Sequence, residues 1–181
     1  MTGLLILLGV VILLIIYVIS LYNKIVRLKT TRENALSDID VQMKMRFDLV
    51  DNLVSTVKGY AAHEKETLDA VIKARNNFGK AKDMEGKAKA DGELSSALKS
   101  IFALAESYPD LKANQNFLQL QTELSDIENK IAAARRFFNA TTKEYNTTIQ
   151  QFPANIIFSG NKPETFFEGE EEIKKAPKVE F

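Results

Sequence analysis

No charged side chain occurs before Lys24, and between Leu4 and Ile19 every residue except Gly9 and Tyr17 is Leu, Ile or Val. A run from Gly3 to Tyr22 is about 20 residues, or roughly 30 Å as a helix, which is the thickness of a bilayer core. Leu4, Leu5, Ile6, Leu7, Leu8, Val10, Val11, Ile12, Leu13, Leu14, Ile15, Ile16, Val18 and Ile19 form this candidate anchor. Each central Leu, Ile or Val favours insertion by roughly 0.3–0.6 kcal/mol, so the sum is several kcal/mol. Tyr17 and Tyr22 stand where amphipathic rings favour the interface. No Lys or Arg precedes the run, and Ser20-Leu21-Tyr22-Asn23 offers no small-x-small cleavage pattern. The expectation is an uncleaved anchor that tethers everything downstream, with the lipid bilayer as its first partner.

The flanks predict an orientation. Lys24, Arg27, Lys29 and Arg32 follow the run closely. The positive-inside rule then places the C-terminal domain in the cytoplasm and the N-terminus outside, a single-pass arrangement in the cell membrane.

Beyond the anchor, residues 24–181 suffice for one domain with a core of its own. Lys+Arg and Asp+Glu both total 24, so the net charge is zero. No long basic run appears, which argues against nucleic acid as a partner. All four prolines fall after residue 108, so long uninterrupted helices are expected in the first half.

Ile25, Leu28, Leu36, Ile39, Met43, Phe47, Val50, Val54 and Val57 recur mostly at steps of three and four, one apolar stripe on a helix. The pattern predicts a helix from the membrane to about Phe78, roughly 80 Å long, with room for a bend at Gly59. Residues 79–93 carry Gly79, Gly86 and Gly92 among charged residues and read as a loop or weak helix ends. A shorter helix follows from Leu94, with Leu98, Ile101 and Leu104 inward, and Tyr108-Pro109-Asp110 closes it. Phe117, Leu120, Leu124, Ile127, Ile131, Ala134, Phe138, Thr141, Tyr145, Thr148 and Phe152 alternate steps of three and four without a slip. That is a heptad seam, closed by Pro153, and a narrow stripe of this length needs helical partners. The fold class expected is all-α: an N-terminal transmembrane helix, residues 1–23, then an elongated antiparallel bundle of three to four helices, residues 24–158. Residues 159–181 read as a strap and then a flexible acidic tail.

Several segments together resemble one known family. After the anchor comes Tyr22-Asn23. Asp38-Ile39-Asp40-Val41-Gln42-Met43-Lys44-Met45-Arg46-Phe47-Asp48-Leu49-Val50-Asp51-Asn52-Leu53-Val54 leads through Val57-Lys58-Gly59-Tyr60-Ala61-Ala62-His63-Glu64 to Ala74-Arg75. Glu106-Ser107-Tyr108-Pro109-Asp110-Leu111-Lys112-Ala113-Asn114 precedes Leu120-Gln121-Thr122-Glu123-Leu124, Glu128-Asn129 and Ala134-Arg135-Arg136. Phe138-Asn139, Tyr145-Asn146 and Phe152-Pro153-Ala154-Asn155 complete the order. In these segments the chain resembles the LemA family of bacterial membrane-anchored helical proteins. The resemblance implies an all-α bundle and no particular chemistry. Two positions depart from the family pattern: Asp51 where Pro is common before Asn52, and Leu36 where Trp is common before Asp38. Both should alter local packing more than fold.

The candidate chemistry is sparse. His63-Glu64 would open a zinc-protease motif, but Thr67 stands where the second His is needed. With one His and no Cys, neither a three-ligand zinc site nor a di-metal centre with two Glu-x-x-His pairs is available in its usual form. The glycines lack phosphate-loop spacing, and no serine has a triad context. No cofactor, metal or small-molecule substrate is indicated. Asn139-Ala140-Thr141 and Asn146-Thr147-Thr148 match the glycosylation sequon, which on a cytoplasmic helix is a chance match.

The polar residues most worth following are Asp38, Asp40, Arg46, Asp48, Asn52 and Arg75 on the first helix. They could face Glu128, Asn129, Arg135 and Arg136 on the third. Paired carboxylates can do acid–base work, yet such residues more often form interhelical salt bridges that fix register, or a partner-binding surface. The function expected is therefore non-enzymatic: a scaffold or adaptor at the membrane surface, its partner a membrane or cytosolic protein, self included. The alternative is a regulatory subunit of a membrane protease or sensor kinase, and a cryptic enzyme ranks third.

Overall fold

The computed structural model describes residues 2–81 and 83–167, so the end of the expected acidic tail lies outside the described residues. Among the described residues six helices follow one another: α1 (Thr2–Lys58), α2 (Lys65–Lys80), α3 (Met84–Ala105), α4 (Pro109–Lys112), α5 (Gln115–Gln150) and α6 (Ala154–Ile157). No strand occurs among the described residues. Contacts group the chain into two units, one of residues up to Ser37 with Arg135–Phe166, the other centred on Asp38–Ala134.

In the second unit, the apolar stripe of α1 becomes a core wall. Ile39, Met43, Val50, Leu53, Val54 and Val57 are all buried. Gly59 ends the helix: the Thr56 carbonyl accepts from the Gly59 amide, and the Val57 carbonyl accepts from Tyr60 and Ala61. This turn replaces the uninterrupted helix expected as far as Phe78. Residues Lys65–Lys80 instead form α2, which packs Leu68, Val71 and Ala74 inward.

The stretch expected as a loop at 79–93 is mostly helix. Asp83 caps α3, its carboxylate accepting from the Gly86 amide at 2.7 Å, and Glu85 sits in the first turn where the helix dipole favours an anion. Ala90, Leu94, Leu98, Ile101 and Ala105 then line one face. Pro109 starts α4, where its missing donor costs nothing. Asn114 begins α5: its side-chain oxygen accepts from the Phe117 amide at 3.0 Å, while its amide group donates to the Tyr60 hydroxyl at 2.8 Å. Val50, Val57, Leu68, Leu98, Leu111, Phe117 and Leu124 belong to one core. At roughly 1.5–3 kcal/mol per large apolar side chain, that core supplies most of the favourable energy of the unit.

In the first unit, residues of α1 after the anchor pack on the second half of α5. Ile25, Leu28, Tyr145, Ile149 and Ala154 share a small core with Leu21 and Phe158. The order is antiparallel: Lys24 lies 3.8 Å from Glu144, and Arg32 stands over the Phe138 ring at 4.7 Å. Within the seam Phe138, Thr141, Tyr145 and Thr148 are buried as the heptads require. Phe152 is not: it is 79% exposed, because the helix ends at Gln150 before the seam can close over it. The apolar side chains from Leu4 to Ile19 are exposed except the half-buried Val18, on one helix long and apolar enough to cross a membrane.

Residues 161–165 do form a strap. Asn146 holds it in place of a paired strand, with its side-chain oxygen accepting from the Glu164 amide at 2.7 Å and its amide group donating to the Glu164 carbonyl at 2.9 Å. Arg32 donates to the Thr142 hydroxyl at 3.0 Å and the Thr165 carbonyl at 3.1 Å, and pairs with the Glu164 carboxylate at 3.3 Å.

Candidate functional site

The most unusual feature of the second unit is a charge in its core. Arg46 lies on the buried stripe of α1, one turn beyond Met43, and its side chain is 2% exposed. An uncompensated guanidinium there would be prohibitive. Three groups compensate it. Nη1 donates to Asp91 Oδ1 at 2.9 Å, and Asp91 is equally buried. Nη2 donates to Ser95 Oγ at 2.7 Å and pairs with Glu128 Oε2 at 2.8 Å. Asp91 and Ser95 sit one turn apart on α3 and Glu128 sits on α5, so one side chain ties three helices. Nε is buried without a hydrogen-bond partner. Planar, bidentate geometry and a charge that cannot be lost make Arg the residue suited to this place.

Beside this node lies an open cleft of about 530 Å³. Leu98, Phe102, Leu118 and Leu124 supply apolar walls, and Arg46, Ser95, Lys99, Asp126, Glu128 and Asn129 its polar edge. Chemically the arrangement is spent on itself. Arg46 can only donate, and its terminal nitrogens are taken. Ser95 Oγ stands 3.5 Å from both Glu128 oxygens, a long contact for proton transfer, and that carboxylate already neutralises Arg46. Among the described residues no group of three or more His, Cys, Asp or Glu could hold a metal ion. His63 is exposed in the turn between α1 and α2.

A second cluster joins α1 to α2. Arg75 donates to Asp51 Oδ2 at 2.6 Å and stacks 3.9 Å over the Phe47 ring. Phe47 also meets Phe78 at 6.0 Å, and a Cβ on Gly79 would come within 3.3 Å of its ring. Arg75 is thus on the second helix rather than on a continuation of the first. Asp51, one of the two departures from the family pattern, is its partner.

The remaining candidates scatter. Asp40 accepts from Lys87 at 2.7 Å on α3, and Asp48 pairs with Lys44 one turn away on α1. Asp38 is exposed. Asn52 is exposed and accepts from Thr56 through its backbone carbonyl at 2.9 Å. Asn129 lines the cleft, while Arg135 and Arg136 belong to the other unit. Of the expected pairings between the first helix and α5, Arg46 with Glu128 is the one these contacts display. Asp91 escaped sequence reading because it falls in the Gly-dotted stretch expected as a loop, and Ser95, on the helix expected from Leu94, carries no signal of its own.

A further tie joins the turn after α1 to the start of α4. Tyr108 donates to Glu64 Oε1 at 2.7 Å. That hydrogen bond, with some burial and the nearby carboxylate charge, raises the Tyr108 phenol above its ordinary value. Glu64 occupies the position before α2 but does not cap it, its carboxylate serving Tyr108 instead.

Residues 35–181 match the profile of the LemA family. Protein LemA of Metamycoplasma hominis is 31% identical over 140 residues, covering 75% of this chain and 62% of the relative. Magnetosome protein MamQ of Magnetospirillum gryphiswaldense is 27% identical over 162 residues, covering 75% and 60%. Magnetosome protein MamQ 1 of Paramagnetospirillum magneticum is 26% identical over 176 residues, covering 81% and 64%. The chain therefore spans less than two thirds of the length of these relatives, and none of the matched names is that of an enzyme.

Proposed function

The chain belongs to the LemA family, and from that membership we propose that it is a non-enzymatic, membrane-anchored scaffold that presents a helical domain at the cytoplasmic face. One observation carries the reading. α1 is a single unbroken helix whose first part exposes only uncharged, mainly apolar side chains and whose continuation packs against α5 from Ile25 onward. The anchor and the segment that packs on the second half of α5 belong to one helix. Lys24, Arg27, Lys29 and Arg32 at the end of the apolar run support the cytoplasmic side. The charged residues that could have suggested catalysis are used to join helices, as at Arg46 and Arg75.

The test is cross-linking in intact cells with a membrane-permeant, lysine-reactive reagent, followed by purification of the full-length chain in detergent. A scaffold gives discrete adducts, with itself or with another protein, at reproducible lysines. A chain recovered only as an uncross-linked monomer would contradict the proposal. A stoichiometric protease or kinase in the adduct would favour a regulatory subunit instead.

A further inference from the structure

We propose that the corner between α5 and the strap, residues 151–158, is a second membrane contact that dips into the bilayer interface beside the anchor. The proposal rests on reading the apolar part of α1 as a membrane span. Lys24 is the first charged residue of the chain, and Glu144 is the last charged residue before Lys162. The two lie 3.8 Å apart on antiparallel segments of the first unit. Charge therefore stops at the same level on both helices, and beyond that level residues 2–23 and 145–161 are both uncharged.

α5 continues six residues past Glu144, or about 9 Å, in the direction from which α1 arrives. Its end meets the membrane end of α1. Tyr17, Ser20, Leu21 and Lys24 surround one small cavity with Thr148, Gln151, Phe152 and Ala154, and the Tyr22 and Phe158 rings lie 5.9 Å apart. The corner thus stands level with the aromatic residues expected at the headgroups. There it exposes Phe152 at 79%, Ile156 at 67% and Ile157 at 43%. In water these side chains have no reason to point outward, whereas an interface that buries apolar groups to a depth of roughly 5–10 Å accounts for them.

Most of the corner's backbone amides are satisfied as well. The amides of Gln151, Asn155, Ile156, Ile157 and Phe158 all have backbone acceptors, and Pro153 has no amide hydrogen to satisfy. The occupant of this patch is therefore lipid, continuous with the lipid around the span.

The chain contains no tryptophan, so a single introduced one reports its own surroundings. Full-length Phe152→Trp, Tyr22→Trp and Phe137→Trp variants are reconstituted in phosphatidylcholine vesicles, with and without bromine near the headgroup end of the acyl chains. Phe137 is 52% exposed on α5, on the far side of Glu144 from the corner. The expected result is that brominated lipid quenches Phe152→Trp as strongly as Tyr22→Trp, with blue-shifted emission, while Phe137→Trp is quenched only by aqueous acrylamide. Acrylamide quenching of Phe152→Trp without lipid quenching would overturn the proposal and leave the anchor intact. Protection from both quenchers would also overturn it, because protein rather than lipid would then cover the patch. Loss of lipid quenching at Tyr22→Trp would remove the span itself, and the corner contact with it.

Discussion

Arg46 and Asp91 face each other at 2.9 Å with both side chains 2% exposed, joining α1 to α3 across 45 residues of chain. A buried pair of this kind adds little net energy over a well-packed apolar pair, but losing one partner strands the other charge. Arg46→Ala should therefore cost about 3–5 kcal/mol in urea unfolding, and Asp91→Ala less, because Glu128 still pairs with Arg46 at 2.8 Å. The double replacement Arg46→Met with Asp91→Leu should recover most of that loss. If the double variant is no more stable than the single ones, the pair is not the source of the cost.

The seam makes a sharper contrast. Leu124 and Ile127 are buried, whereas Phe152 at the end of the same stripe is exposed. Replacing Leu124 or Ile127 by Asp should unfold the helical domain. Ile131→Ala should cost about 2–5 kcal/mol. Phe152→Ala should leave the melting temperature in detergent nearly unchanged, which circular dichroism checks directly.

The Tyr108–Glu64 hydrogen bond should be visible in alkaline titration. The folded phenol titrates above its ordinary value near 10, chiefly because its proton is shared with Glu64. A raised folded value means that the stabilisation is fully present below the unfolded pKa and is lost as pH rises through the folded one. Ultraviolet titration of the wild type minus Tyr108→Phe should show one late-titrating tyrosine. Glu64→Gln should bring it back towards the ordinary range.

Release of the strap is a test of Asn146. Asn146→Leu removes two hydrogen bonds to Glu164, each worth about 0.5–1.5 kcal/mol net. Hydrogen exchange at the Glu164 amide should accelerate markedly in that variant, while amides in the α2–α3 region keep their protection.

The two long helices were legible because period alone specifies them: an uninterrupted apolar run for the anchor, and steps of three and four along α5. The course of α3 was not. Gly86 and Gly92 each lower helix propensity by about 1 kcal/mol relative to Ala, and together they disguised a segment otherwise rich in Ala, Lys and Glu. The Asp83 cap, three residues before Gly86, was the local signal that could have placed its start. Asp91 could not have been identified as buried from its neighbours, since only a partner distant in sequence makes a buried carboxylate tolerable. Arg32 and Asn146 were hidden for the same reason. Their task is to hold a strap of irregular backbone, and that geometry leaves no periodic trace.

Whether α1 crosses the bilayer and holds the helical domain at its cytoplasmic face is tested most directly by thiol labelling. The chain has no cysteine, so Thr2→Cys and Ser96→Cys each carry a single reactive site, both at exposed positions. Intact cells are treated with a membrane-impermeant maleimide before and after lysis. The predicted result is labelling of Thr2→Cys in intact cells and of Ser96→Cys only after lysis. Labelling of Ser96→Cys in intact cells would place the domain outside and contradict the proposed orientation, and labelling of neither variant before lysis would contradict the crossing.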